Sequence, residues 1–183
     1  ADLALRYVKG SLVANCSTTM ALDDIAEKYD VPLIRTKVGE AHVTRKMIEV
    51  KAAIGGEGNG GVILPLVHPA RDAATGIVLI LQALLEFGGT ASNYFSTLPH
   101  YHMIKRRKDF ADLDVLKQSL SAVEMRSPFG YPDRLDGLKW ELPDAWVQVR
   151  ASNTEPIVRV YAEARTEKEA ERYAAEILKL LEM

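Results

Sequence analysis

Residues 55–65 read Gly-Gly-Glu-Gly-Asn-Gly-Gly-Val-Ile-Leu-Pro, and this stretch decides between two classes of fold. Its glycines at positions 56, 58 and 61 satisfy the G-x-G-x-x-G pattern of dinucleotide-binding proteins. In those proteins the pattern opens a helix whose N-terminus receives the pyrophosphate. Here the glycines run into a short apolar segment that stops at Pro65, which predicts a strand. The stretch therefore predicts a glycine-rich turn between two strands and argues against a dinucleotide site.

Strands and helices alternate around this turn as far as residue 98. Apolar patterns, cap residues and glycine stops predict strands over 12–15, 33–36, 52–54 and 62–64, and helices over 20–29, 42–50, 72–87 and 91–98. Such alternation is typical of a layered α/β unit. We therefore expect a mixed α/β domain over residues 1–98.

The order of elements changes after Pro99. The pattern predicts a strand over 101–107, a helix over 113–120, three strands over 138–142, 145–150 and 157–164, and a last helix over 167–182. Consecutive strands followed by a helix indicate an antiparallel sheet with helices. A small α+β domain over residues 99–183 is expected.

Composition excludes several classes of protein. Lys plus Arg number 23 against 25 for Asp plus Glu, a net charge of −2 that argues against nucleic acid or a membrane surface as partner. The apolar run at residues 77–81 is far shorter than the roughly 20 residues of a membrane span. Cys16 is the only cysteine, so we expect a cytoplasmic protein without disulfides. Because the chain begins at Ala1 without Met, a cut inside a longer protein is expected, with simple Met removal as the alternative.

The glycine-rich turn holds a carboxylate and an amide, Glu57 and Asn59, two positions apart. In an extended loop this spacing sends both side chains to one side. Together they suit vicinal sugar hydroxyls, each of which donates and accepts. The residues themselves leave two interpretations open, a plain hairpin turn or a ligand loop.

A second polar turn lies between the last two predicted strands. It reads Arg150-Ala151-Ser152-Asn153-Thr154-Glu155-Pro156, with Arg159 three residues beyond. A planar guanidinium, hydroxyl and amide donors, and the N–H groups of a tight turn together suit a phosphate. The alternative is an ordinary hydrophilic hairpin.

Taken together, these two loops resemble those of the α-D-phosphohexomutase family. The third domain of that family carries a Gly-Glu-x-x-Gly sugar loop, matched by residues 56–60. Its fourth carries an Arg-x-Ser-Asn/Gly-Thr-Glu-Pro phosphate loop, matched by residues 150–156. The segments 36–39, 71–72 and 136–137 also look familial, so the resemblance covers essentially the whole chain.

The resemblance implies the C-terminal half of an enzyme that interconverts a hexose 6-phosphate and its 1-phosphate, the hexose being glucosamine, glucose or mannose. It implies sugar contacts from Glu57, Gly58, Asn59 and Gly60, and phosphate contacts from Arg150, Ser152, Asn153, Thr154 and Arg159. The family's phosphoserine loop and its Asp-Gly-Asp-Gly-Asp magnesium loop do not occur in the sequence. We therefore expect no catalytic or metal-binding residues here, magnesium only in the full-length enzyme, and no activity from the fragment alone.

The expected partners are a hexose phosphate and the N-terminal domains of the same enzyme. A noncatalytic sugar-phosphate binding module is the alternative function. Of the weaker signals, residues 105–108 read Lys-Arg-Arg-Lys, a basic run expected to be a solvated face. Asp112 and Asp114 are expected to cap or begin a helix rather than to bind a metal.

Overall fold

A computed structural model describes residues 1–152 and 155–182. It divides into two compact units, Ala1–His100 and Tyr101–Met183. Among the described residues, no helix is long and apolar enough to cross a membrane.

The first unit is built on a four-stranded sheet with the order β2-β1-β3-β4. Strands β1 to β3 are parallel, and β4 returns antiparallel to β3. In chain order the elements are α1 Asp2–Tyr7, β1 Leu12–Asn15, α2 Ala21–Lys28, β2 Leu33–Thr36, α3 Glu40–Val50, β3 Ile54–Glu57, β4 Gly61–Ile63, α4 Ala73–Phe87 and α5 Ala91–Phe95. The alternation that the sequence predicted is confirmed.

The parallel strands of this sheet are covered on both faces. Every residue of the inner strand β1 is buried. One apolar cluster packs around Leu12 and a second one packs around Val13. Parallel strands covered by helices on both faces read as continuous apolar runs, as residues 12–14 do. The carboxyl ends of β1, β2 and β3 consequently meet at one edge of the sheet.

Several details of this unit differ from the prediction, among them the helix expected over 91–98, which ends at Phe95. The strand expected over 52–54 begins instead at Ile54 and continues through Gly55 and Gly56 to Glu57, because these glycines pair with β4. A first helix, α1, was not predicted; it is six residues long, too short to show an apolar period.

The second unit is an antiparallel sheet with the order β5-β8-β7-β6. Its elements are β5 His102–Asp109, α6 Leu113–Arg126, β6 Leu138–Leu142, β7 Ala145–Ala151, β8 Ile157–Ala164 and α7 Glu167–Leu180. The core lies where α6 and α7 pack on one face of the sheet, against Trp140, Val147 and Val160. The predicted α+β class is confirmed, although α6 runs past the expected residue 120 as far as Arg126 and is capped by Ser127, whose φ is +42°.

Candidate functional site

The glycine-rich stretch forms a tight hairpin at the edge of the first sheet. Glu57 pairs with Gly61, and the turn between them is closed by a hydrogen bond from Gly60 N to Glu57 O at 3.2 Å. Gly60 has a φ of +93°. At Gly56 a side chain is excluded, because a Cβ would lie 2.1 Å from the carbonyl oxygen of Gly61. Glycine is required at these two positions by the geometry of the turn.

The prediction that Glu57 and Asn59 face the same side stays a prediction, although its premise does not hold. That prediction assumed an extended loop, whereas residues 58–60 reverse the chain within three positions. Asn59 is exposed and its Oδ1 accepts from Gly61 N at 3.2 Å, which stabilises the turn. The side chain of Glu57, in contrast, is only 5% exposed.

Three elements surround the buried carboxylate of Glu57. Its Oε1 accepts from Asn15 Nδ2 at 2.9 Å, at the end of β1, and from Gly39 N at 2.9 Å, at the start of α3. Its Oε2 lies 3.9 Å from Arg71 Nη1. A carboxylate at a helix N-terminus is favoured by the helix dipole and by the unpaired N–H groups there. Tertiary contacts therefore hold the carboxylate of Glu57 in place as an acceptor.

Arg71 lies over the hairpin and is itself anchored by Glu40. Arg71 Nε donates to Glu40 Oε2 at 2.7 Å and Arg71 N donates to Glu40 Oε1 at 2.9 Å. These hydrogen bonds lower the pKa of Glu40 below its usual range. Gly61 leaves room for this arrangement, since a Cβ there would lie 2.3 Å from Arg71 Cδ.

Sequence reasoning missed Asn15, Glu40 and Arg71 as members of this site. Asn15 ends a strand and Glu40 begins a helix at the carboxyl edge of a parallel sheet, which is where ligands bind in open α/β sheets. That rule was the available signal. Arg71 was noted only as part of a familiar-looking segment.

A cavity of about 260 Å³ opens beside the hairpin. Glu57 and Gly58 line it together with Thr18, Thr19 and Leu22 from the β1–α2 region. Ligand pockets are typically about 300–1,000 Å³, so this volume is slightly below the usual range. The hairpin thus borders a concave site with few polar groups.

The second polar turn is a hairpin between β7 and β8. Ser152 N donates to Ile157 O at 2.9 Å, and Ile157 N donates to Glu155 O at 2.7 Å. Asn153 and Thr154, two of the predicted phosphate ligands, lie outside the described residues. The flanking strands place Arg150 near the end of β7 and Arg159 within β8.

Strand register aligns three arginines across this sheet. Arg150 lies directly opposite Arg159 in the β7–β8 pair, and Arg159 lies directly opposite Arg107 in the β5–β8 pair. Directly opposed residues share one face, with Cβ atoms about 4.5–5.5 Å apart, and like charges in such positions destabilise a sheet. The row of Arg107, Arg159 and Arg150 concentrates positive charge beside the turn.

Acidic residues balance the two outer arginines. Arg150 Nε donates to Asp136 Oδ1 at 3.0 Å, and both side chains are more than four-fifths buried. Arg107 pairs with Asp109 at 2.6 Å. Arg159 in the middle has no ion-pair partner among residues 1–152 and 155–182. An anion is the natural partner for it.

The rest of the basic run at 105–108 behaves as a solvated face. Arg106 pairs with Glu171, Lys108 Nζ lies 3.3 Å from Glu182, and Lys105 Nζ lies 5.7 Å from the ring centre of Tyr161. Only Arg107 of the run joins the arginine row.

Acidic residues in the described part of the chain do not form a metal centre. No group of three or more His, Cys, Asp or Glu side chains there is arranged to hold a metal ion. Asp112 caps α6, its Oδ1 accepting from Asp114 N and Val115 N. Asp23 pairs with Arg35 at 2.7 Å.

The fold and the two hairpins define a two-unit protein with a candidate hydroxyl-binding carboxylate in one unit and a candidate anion site in the other. The family model for domain III of phosphoglucomutase/phosphomannomutase, described as alpha/beta/alpha, matches residues 2–101. The model for the C-terminal domain of the same family matches residues 104–180. The chain therefore belongs to the phosphoglucomutase/phosphomannomutase family and corresponds to its domains III and IV.

Individual relatives agree with this assignment. The chain is 38% identical to a phosphoglucomutase/phosphomannomutase of Thermococcus kodakarensis over 100% of its own length and 40% of the relative's. It is 30% identical to a probable phosphoglucosamine mutase of Methanopyrus kandleri, over 94% of this chain and 38% of that one. A crystal structure of a family member from Burkholderia thailandensis superposes with a TM-score of 0.79 at 21% identity, over 99% of this chain and 40% of that one. The chain thus spans about 40% of the length of these proteins.

Proposed function

We propose that this chain is the substrate-binding C-terminal part of a hexose-phosphate mutase, an enzyme that interconverts a hexose 6-phosphate and the corresponding 1-phosphate. Both of its units match that family in the family's own order. In this proposal the first unit holds the sugar and the second holds the phosphate that is not being transferred.

The observation that carries the phosphate assignment is the arginine row. Arg159 lies between Arg107 and Arg150 and has no ion-pair partner in the described part of the chain. A bound phosphate would offset the repulsion within the row and accept from two guanidinium groups. We assign the site to Arg150 and Arg159, with Ser152, Asn153 and Thr154 supplying turn donors.

The sugar assignment rests on the carboxylate of Glu57. Its Oε1 accepts from Asn15 and Gly39, while Oε2 faces Arg71 at 3.9 Å, beyond hydrogen-bond distance. Oε2 can therefore accept from a sugar hydroxyl. Gly58, Asn59 and Gly60 would let the ring approach the backbone of the hairpin.

Catalysis by the parent enzyme would require groups from its preceding domains. The resemblance implies a phosphoserine and a magnesium ion there, and the acidic residues described here do not fit a magnesium site. The chain's own residues therefore bind and orient the substrate without supplying the nucleophile. The single cysteine agrees with our proposal of a cytoplasmic enzyme.

An exposed apolar stripe on α4 supports the preceding domains as partners. Ile77, Leu81 and Leu85, spaced four residues apart, are 59%, 60% and 77% exposed, and Val78 beside them is 63% exposed. Contiguous apolar surface of this kind usually marks an interaction site. Because the relatives are about two and a half times as long as this chain, at 40% coverage, we propose that the preceding domains cover the stripe.

That interface has a direct test in the full-length enzyme. Leu81→Lys should lower its thermal stability, whereas Gln82→Lys on the neighbouring polar position should not. Equal stability of the two variants would contradict the proposed cover.

Phosphate binding is tested by titrating the 183-residue chain with inorganic phosphate and following the amide spectrum by NMR. Shifts should concentrate at residues 150–159 and disappear in Arg159→Ala. Arg134→Ala, which removes a surface arginine paired with Glu124, is the matched control and should keep them. Shifts confined to other residues would refute the assignment.

Substrate identity is tested on the full-length enzyme with the 6-phosphates of glucosamine, glucose and mannose in parallel. Conversion of at least one to its 1-phosphate is expected. Binding without conversion of any would favour the alternative, a noncatalytic sugar-phosphate binding module.

A further inference from the structure

Asn15 links the central strand of the first unit to the sugar hairpin. It is the last residue of β1 and is 4% exposed. Its Nδ2 donates to Glu57 Oε1 at 2.9 Å. Its Oδ1 accepts from Ser17 N at 3.0 Å and from Thr18 Oγ1 at 2.9 Å. Both ends of this buried amide are therefore used, as buried polar groups require.

Thr18 continues the same chain of hydrogen bonds back to the hairpin. Its hydroxyl donates to Asn15 Oδ1 and accepts from Gly58 N at 3.0 Å. Asn15 thus reaches the carboxylate of Glu57 directly and the backbone of the next residue through one hydroxyl. The hairpin is thus held at two adjacent residues, Glu57 and Gly58, by side chains at the end of β1 and just after it.

The direction of these hydrogen bonds follows from the chemistry of the side chains. An ionised carboxylate only accepts, so the group facing Glu57 has to be a donor. The backbone N–H of Ser17 and the hydroxyl of Thr18 require an acceptor on the other side. An amide supplies both within one planar group, whereas aspartate would place a second negative charge against Glu57.

We propose that Asn15 is the positioning residue of Glu57: it occupies Oε1 and thereby leaves Oε2 as the oxygen that accepts from a sugar hydroxyl. This inference rests on the proposed role of Glu57 in sugar binding. Asn15 itself acts through Glu57 and the hairpin. The other charged groups at this carboxylate are Arg71, at 3.9 Å from Oε2, and Glu40, which anchors Arg71.

The first experiment measures amide hydrogen exchange in the hairpin in the absence of any ligand. In the 183-residue chain, Asn15→Asp should speed amide hydrogen exchange at Gly58 and Gly39 by about tenfold or more, the worth of a lost charge-assisted hydrogen bond. In a Glu57→Gln background the same change should have a clearly smaller effect at Gly58, because the glutamine amide carries no charge and can donate to the introduced aspartate. Equal effects in the two backgrounds would overturn the inference, since a general structural role predicts no such coupling.

The second experiment measures ligand affinity with two probes. Asn15→Asp should weaken the binding of glucose 6-phosphate by about tenfold or more. The affinity for inorganic phosphate should not change, because that ion has no sugar hydroxyls for Glu57. Asn93→Asp, the same substitution at an exposed position of α5, is the control and should change neither. Unchanged glucose 6-phosphate affinity in Asn15→Asp would refute the positioning role.

The two experiments separate this inference from the proposed function. If the wild-type chain binds no sugar phosphate, the proposed function of the hairpin fails, and amide exchange still decides whether Asn15 positions Glu57. Should Asn15→Asp not fold, Thr18→Val tests the same chain of hydrogen bonds with a side chain of equal shape. It should speed exchange at Gly58, and normal exchange there would count against the proposal.

Discussion

The two hairpins solve the same problem, holding a charged side chain at a fixed place, in opposite ways. Around the first, buried Glu57 is fixed by hydrogen bonds from Asn15 and Gly39, residues of two other segments. Around the second, Arg150 and Arg159 are aligned by strand register within one antiparallel sheet. The comparison shows that a parallel sheet gathers its site from distant segments at its carboxyl edge, whereas an antiparallel sheet builds one from consecutive strands.

We propose that neither hairpin supplies a nucleophile, and this proposal predicts the largest effect. The 183-residue chain alone should show no mutase turnover, because phosphoryl transfer needs an in-line nucleophile and charge neutralisation that we assign to preceding domains. The assay follows product from glucose 6-phosphate with glucose 1,6-bisphosphate and magnesium. Turnover at about 1–1,000 per second, an ordinary enzyme rate, would show that a catalytic group lies within the chain.

Removing a guanidinium tests the second hairpin. Arg150→Ala should weaken inorganic phosphate binding by about 1.5–3 kcal/mol, the usual worth of a hydrogen bond to a charged group. Arg150→Lys should restore binding only in part, because an ammonium cannot donate bidentately. Calorimetric titration measures all three proteins.

Asp136 complicates the interpretation of that variant, since it loses its ion pair with Arg150 when Arg150 is truncated. The double variant Arg150→Ala with Asp136→Asn removes the charge of Asp136 as well and serves as the control. If it binds phosphate as tightly as the wild type, Arg150 only neutralises Asp136 and is no phosphate ligand.

A charge-only change tests the first hairpin. Glu57→Gln should reduce the catalytic efficiency of the full-length enzyme by about tenfold and leave the fold intact, because the Oε1 of glutamine can still accept from Asn15 and Gly39. Kinetics and the melting temperature together separate the two effects. An unchanged efficiency would mean that Glu57 only shapes the turn.

Lowering the pH should reduce the stability of the first unit through Asp2, and this is the smallest of the predicted effects. Burial alone would raise the pKa of Asp2, but hydrogen bonds from Lys28, Tyr29 and Arg6 outweigh it and lower that pKa to about 2. Since this lies below the usual 3.8, the ionised carboxylate stabilises the folded first unit at higher pH. That stabilisation should be lost as pH falls from about 3.8 toward about 2.

The matched variant is Asp2→Asn, which should lower the free energy of unfolding of the first unit by about 1–2 kcal/mol near neutral pH. Residue-resolved hydrogen exchange distinguishes the units, and the second should be unaffected. Equal acid sensitivity of wild type and Asp2→Asn would show that the Asp2 cluster adds no stability.

The sequence by itself determined the order of elements from β1 onward, both fold classes and the two turns. These features depend on local signals: apolar runs of strand length, cap residues such as Asp72 and Asp112, whose side chains accept from the first turns of α4 and α6, and glycine or proline at chain reversals. The rejection of a dinucleotide helix after Gly61 was also local, because a strand and a proline follow within four residues.

Only the tertiary structure decided how the charged residues of each site are held. The burial of Glu57 depends on Asn15, forty-two residues away, and on Gly39 at the start of another helix. The arginine row depends on strand register that brings Arg107 beside Arg159. Local pattern shows which residues can accept or carry charge, but pairing between distant segments fixes their neighbours, and the neighbours determine which atoms remain available for a ligand.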